Sequence, residues 1–261
     1  MSARPGEPIT TAQHQLRRRP DARPPVQSAN ELKFLGFMIS ISGVAKNDRV
    51  LDVACGSGST TLAFAERCRG TVGLDVHPEG LARATVAAAE RGITNAAFVL
   101  GELERMPVAD GAFDGATCRF SFHHIVHPER VFAEMARAVA PGGWIVISDL
   151  VASEDPEKAA LHNELERLVD PMHARSLPVS EFERMFAAHG FNVIMKIARD
   201  ARLTVDDWIR FGSPPPENVP RIREMTESLA DNDGAGLKFT RDGGTIRLAH
   251  MSVSFVIEKT G

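Results

Sequence analysis

From Arg49 onward the chain alternates short apolar runs with stretches of helix length, and that rhythm restricts the fold more than any other feature. Arg49 to Ala54 (RVLDVA) reads as a buried strand, and after Gly56 and Gly58 a helix runs through about Glu66. Thr71 to Val76 is a second strand. Pro78, suited to a first helical turn, opens an Ala-rich stretch that stops at Gly92. Ala96 to Glu102 and Gly115 to Phe122 supply the third and fourth strands. Pro128 starts a helix that ends at Pro141-Gly142-Gly143, and Trp144 to Leu150 is the fifth strand. Strands and helices in this order predict a mostly parallel sheet with helices on both faces.

Past residue 150 the rhythm changes. Asp155 and Pro156 begin a helix striped by Leu161, Leu165 and Leu168, with Glu164 and Glu166 read as its solvated face. A capping box from Ser180 to Glu183 opens another helix, which buries Phe182, Met185 and Phe186 and ends at Gly190. Phe191 to Ile197 is a sixth strand. A helical insertion spans about 200–248: a helix past Trp208, a break at Pro214-Pro215-Pro216, and a helix from Val219 to Leu229. The Asp242-Gly243-Gly244 turn suits a hairpin, and Met251 to Ile257 alternates as a last strand. Ahead of the core, Leu32, Phe34, Leu35, Phe37, Met38 and Ile41 fit a short helix. Residues 1–27 are polar, Pro- and Arg-rich and aperiodic, which suits a flexible arm. The expected division is therefore arm 1–27, core 28–150, and 151–261 completing the sheet; no internal repeat is visible.

Composition narrows the partners. A formal net charge of −4 over 261 residues argues against nucleic acid, whose phosphates require concentrated Lys and Arg. The local basic cluster, Arg17, Arg18, Arg19 and Arg23, sits in the arm. No apolar run reaches the roughly 20 residues of a membrane span, and the N-terminus lacks the apolar stretch of a secretion signal. Cys55, Cys68 and Cys118 are odd in number and lack CxxC spacing, so neither a disulfide framework nor a zinc site is expected. The expectation is a cytoplasmic protein without a metal. With no tyrosine in the chain, acid–base work falls to His, Asp, Glu, Lys or Cys.

The chemistry-bearing signal is a strand that carries Asp52 and runs through Gly56-x-Gly58 into a helix. Glycines let backbone approach a ligand, and a helix N-terminus offers N–H groups and partial positive charge. Asp75 ends the second strand roughly 20 residues on, where a carboxylate can hold ribose hydroxyls. A dinucleotide fingerprint would need glycines where the chain has Ala54 and Ser59. A carboxylate at Asp52 would also oppose a pyrophosphate, whereas it favours a cationic amino acid moiety.

Taken together, VLDVACGSGS (Val50 to Ser59), GLDV (Gly73 to Val76), GELERMP (Gly101 to Pro107), AFD (Ala112 to Asp114), FHH (Phe122 to His124) and APGG (Ala140 to Gly143) resemble class I S-adenosylmethionine-dependent methyltransferases. The similar subgroup is that of the ubiquinone and menaquinone C-methyltransferases (methyltransferase type 11), in register over about residues 30–150. The resemblance implies a Rossmann-like fold, a mostly parallel seven-stranded sheet with an antiparallel last strand. It implies S-adenosyl-L-methionine as donor and S-adenosyl-L-homocysteine as product. Asp52, Ala54, Cys55, Gly56 and Gly58 would surround the methionine part, Asp75 the ribose and Val76 the adenine. Glu102 would accept from the adenine amino group, and the Leu103 N–H would reach a ring nitrogen. Glu102 and Leu103 stand where the family usually has Asp and Ala, and Ala54 where Gly is usual.

Methyl transfer from a sulfonium is an in-line displacement from an activated donor, so a base is needed only when the acceptor must lose a proton. His123 and His124 follow the fourth strand at the edge where α/β sheets bind ligands, and one of them can serve as that base; the competing reading is that they pack at the strand end. Arg119 can hold the donor carboxylate, or form a surface ion pair. His173 and Arg175, in the DPMHAR segment (Asp170 to Arg175), and Trp208 with Phe211 are the acceptor-side candidates, against the reading that they cap, pair or pack. The expected function is methyl transfer to O, C or N of a small apolar or aromatic metabolite, with no nucleic acid and no membrane insertion. The alternative is a donor-binding protein of the same fold that does not methylate, with a structural or cyclase-type role.

Overall fold

The computed structural model describes residues 29–230 and 232–260. The expected arm and its arginines lie outside the described residues. Among the described residues nine strands form one sheet, its central path ordered β3-β2-β1-β4-β5-β9-β7. They are β1 Arg49–Val53, β2 Gly70–Asp75, β3 Ala96–Leu100, β4 Phe113–Arg119, β5 Val139–Ala152, β6 Leu177–Pro178, β7 Phe191–Thr204, β8 Thr240–Asp242 and β9 Thr245–Lys259. Strands β1 to β6 pair in parallel, and β9 runs antiparallel to both β5 and β7. This is the expected Rossmann-like arrangement, with β6 and β8 added beside the seven-strand path.

The helices are α1 Ala29–Ser42, α2 Ser59–Ala65, α3 Pro78–Glu90, α4 Pro128–Ala138, α5 Pro156–Val169, α6 Val179–Ala188, α7 Val205–Gly212 and α8 Val219–Leu229. Asp155 caps α5 by accepting from the N–H groups of Glu157 and Lys158. Helix α6 begins one residue ahead of the expected capping box. Ser180 therefore lies in its first turn and gives its N–H and hydroxyl to Glu154 rather than to its own helix. The fourth strand ends at Arg119, three residues short of the expectation, because Phe120 takes a left-handed backbone (φ 49°) and Phe122–His124 close a 3-10 turn.

The two largest apolar cores are stitched by β9. Phe122, Phe132, Phe182, Phe186 and Phe255 are fully buried in the larger one, packed ring against ring between α4, α6 and the sheet. Burying each is worth about 1.5–3 kcal/mol. The smaller core joins Leu165 and Val169 of α5 to Val205 and Trp208 of α7, Ile222 and Leu229 of α8, and Leu248 of β9. It exists because β7 and β9 continue their pairing far beyond the main sheet, from Phe191↔Lys259 to Thr204↔Arg247. The insertion is thus framed by the extended ends of two sheet strands. Among the described residues no helix is long and apolar enough to cross a membrane.

Candidate active site

The parallel strands β1, β2, β4 and β5 all end on one edge. The order of the chain reverses between β1 and β4, and an open α/β sheet offers its ligand crevice at such a point. Asp52, paired in register with Gly73 of β2 and Thr117 of β4, sits just inside this edge. It is buried, and its Oδ2 accepts the Thr61 hydroxyl at 2.6 Å. Burial raises its pKa to about 7; the Thr61 bond and the Arg119 charge only partly offset that. A carboxyl held there gains most from a cation placed against it.

The turn that follows is left-handed at Ala54 (φ 57°), Gly56 (φ 55°) and Gly58 (φ 80°). Alanine at the first of these costs about 1–2 kcal/mol that glycine would not. At Gly58 a side chain is excluded outright, since a Cβ would lie 2.8 Å from Ala84 Cβ. Above Gly56 the space is open, with nothing within 4 Å of where a Cβ would project. Asp75, buried at the end of β2, accepts the Gly56 N–H at 2.7 Å and the His77 N–H at 2.9 Å, one on each oxygen. An ionised carboxylate has about four lone-pair positions, so capacity for two hydroxyl donors remains. Gly101 N–H donates to the Asp75 carbonyl at 3.0 Å, which brings Glu102 and Leu103 alongside. Glu102 is exposed, while the Leu103 side chain anchors its backbone in the core beside Val76. The Cys55 thiol is pushed up by burial, then by Asp52 and Asp75, and is no nucleophile. These residues fit an adenosyl ligand with a cationic tail: two carboxylates, an open glycine turn and an apolar floor.

Arg119 closes this side. Its Nε donates to Thr60 Oγ1 at 3.0 Å and its Nη2 pairs with Glu31 at 3.1 Å, tying β4 to the first turn of α2 and to α1.

On the other side of the crevice, Asp149 of β5 is wholly buried and organises the 3-10 turn. Its Oδ2 accepts the N–H groups of Ser121 (2.9 Å) and Phe122 (2.6 Å), while Oδ1 takes Leu150 N–H (2.7 Å) and His123 Nδ1 (2.5 Å). That arrangement fixes the His123 tautomer with the proton on Nδ1, so Nε2 is the basic nitrogen. His124 differs: its Nδ1 donates to the Met172 carbonyl at 3.0 Å, and Asp170 lies 3.9 Å from its Nε2. The 170–175 segment wraps the turn, since the N–H groups of Ala174 and Arg175 both donate to His123 O. His173 stacks on His123 with centroids 5.8 Å apart and bonds Asn163 Oδ1 at 2.7 Å. Burial holds it at about pKa 3, so it is neutral at physiological pH.

The structure thus gathers Asp52, Ala54, Gly56, Gly58, Asp75, Val76, Leu103 and Arg119 on one side of the edge, and His123, His124 and His173 on the other. Arg175 stands apart, in a two-pronged ion pair with Glu181 that is half open to solvent. Trp208 is buried in the smaller core, edge-on to His250 at 5.3 Å, and Phe211 is exposed.

Residues 51–147 match the family described as Methyltransferase domain. The uncharacterized methyltransferase YcgJ of Bacillus subtilis (strain 168) is 34% identical over 190 residues, 72% of this chain and 74% of that protein. The chain belongs to this methyltransferase family. The crystal structure of YcgJ superposes with a TM-score of 0.81 at 29% identity, covering 88% of this family member and 99% of that chain. The ubiquinone/menaquinone biosynthesis C-methyltransferase UbiE of Ectopseudomonas mendocina (strain ymp) is 30% identical over 131 residues; the match spans 49% of this family member and about half, 51%, of the relative.

Sequence reasoning passed over Asp149, His162, Asn163 and His250. Glu166 is a correction: it is 4% exposed, not on a solvated face, because the buried side of α5 carries His162, Asn163, Leu165, Glu166 and Val169. The stripe of leucines pointed to a neighbouring face, since Leu161 and Leu168 are only partly buried. The His162–Glu166 spacing, one helical turn, was the available signal.

Proposed function

We propose that this protein binds S-adenosyl-L-methionine over the Asp52–Gly58 turn and transfers its methyl group to a small apolar or aromatic acceptor. When bound, the donor supplies an electrophilic methyl on a sulfonium. Asp52, ionised by the donor's ammonium, would hold the amino acid end. Asp75 would accept the ribose hydroxyls, and Glu102 with the Leu103 N–H would read the adenine. On the facing side His123 would take the acceptor's proton at Nε2, with Asp149 stabilising the imidazolium. The single observation that carries this reading is the Asp149–His123 pair, built on three backbone N–H groups at the same sheet edge as the glycine turn. Such positioned bases contribute about 10²–10⁴-fold to a rate. Relatives that act on quinones favour hydroxylated or quinonoid ring acceptors.

The test is calorimetry of donor binding, followed by a screen of hydroquinones and phenols for formation of S-adenosyl-L-homocysteine. Asp75→Ala should weaken donor binding at least 100-fold. Unchanged affinity would remove the donor from this turn.

A further inference from the structure

A separate polar group lies where α5 meets β9. His162 and Glu166, one turn apart on α5, face inward, and β9 brings His250 against them. All three are buried, at 2%, 4% and 5% exposure. His162 Nε2 lies 3.5 Å from Glu166 Oε1, His250 Nε2 lies 3.1 Å from the same oxygen, and the three atoms are mutually within 4.8 Å. None of these three atoms has a hydrogen-bond partner. Two imidazole nitrogens from different elements thus flank a single buried carboxylate oxygen.

We propose that His162, Glu166 and His250 ligate a divalent first-row transition-metal ion. Leaving buried polar atoms unsatisfied costs about 1–3 kcal/mol each, and native proteins seldom tolerate several together. Ligands about 2.1 Å from an ion would be 3.1–3.5 Å apart at angles of roughly 95–115°. Two imidazoles and one carboxylate suit zinc, iron, cobalt or manganese; calcium and magnesium prefer oxygen alone. Three protein ligands leave positions for water or an oxygen donor. The ion would adjoin the proposed site, because Asn163, next to His162, holds the His173 ring that stacks on His123. Trp208, edge-on to His250, forms its apolar wall. This departs from the sequence-based expectation of no metal, since the ligands are about 90 residues apart and carry no cysteine.

The experiment needs no methyl acceptor and is independent of the donor site. Full-length protein is stripped with a chelator and titrated with Co²⁺, with Zn²⁺ as competitor. One equivalent should bind, giving visible d–d absorption and paramagnetically shifted proton resonances from two imidazole rings. Glu166→Gln and His250→Gln should each weaken Co²⁺ binding at least 100-fold while circular dichroism is retained. Should either variant lose its fold, the two-imidazole signature of the unmutated protein decides. Absence of Co²⁺ and Zn²⁺ binding, a spectrum without two imidazoles, or binding that survives both substitutions would overturn the site and leave a metal-free buried ion pair.

Discussion

The two sides of the crevice are built by different means. The side that ends β1 and β2 is made of backbone: left-handed residues, N–H groups and two carboxylates, all within 24 residues of chain from Asp52 to Asp75. The side that ends β4 and β5 is made of side chains drawn from distant segments. Asp149 reaches back 26 residues to His123, and Asn163 reaches His173. A contiguous turn fixes one ligand tightly and changes little; a composite wall can be refitted residue by residue to a new acceptor. The proposed function divides along the same line, with the donor assigned to the first side and the acceptor to the second.

Three substitutions would break or sharpen that contrast. The largest effect is expected at His123. His123→Asn should lower kcat about 100-fold or more with an acceptor that must lose a proton, and flatten the pH–rate profile, while donor affinity stays within twofold. A parallel loss of donor binding would mean that the two sides are not separable.

Asp52 tests the donor side through pH. Its folded pKa of about 7 lies above the ordinary 3.8, so the native state holds the extra proton between those values. Its contribution to stability therefore falls as pH rises from about 4 to 7 and is constant above. Asp52→Asn should remove that slope and raise stability at pH 8 by at most about 4 kcal/mol, read by urea unfolding. The same variant should lose the rise of donor affinity between pH 6 and 8 that ionisation of Asp52 gives. A pH-independent affinity in the unmutated protein would place the donor's ammonium elsewhere.

The smallest effect is expected at Ala54. Relieving a left-handed alanine gains about 1–2 kcal/mol, and the greater backbone entropy of glycine returns about half of it. Ala54→Gly should thus raise the melting temperature by about 1–4 °C without altering donor binding. A lower melting temperature would show that the turn needs the alanine methyl.

Much of the first side was legible. The strand–turn–helix order, Gly56 and Gly58 in the turn, and Asp75 at the end of β2 all follow from residues near one another in sequence, whereas the close packing of Gly58 comes from Ala84 and Phe98. Element boundaries slipped where tertiary contacts overruled local pattern. Phe120 breaks β4 early by its left-handed backbone and stacks on Phe34 of α1. Ser180 serves Glu154 instead of its own helix. Strand β7 runs to Thr204 because β9 pairs along it, although its own apolar alternation fades after Ile197.

By itself the sequence determined the alternation of strands and helices and the glycine turn, because hydrophobic period and turn chemistry act over a few residues, and its motifs carried the resemblance to the family. It also offered His123 and His124, with His123 the stronger candidate for a base. The tertiary structure supplied the physical reason, by aiming the buried Asp149 at one ring and a backbone carbonyl at the other. It likewise turned Glu166 inward onto two histidines and sent Arg175 outward to Glu181. Which face of a helix is buried depends on what packs against it, and that is a property of contacts between distant segments.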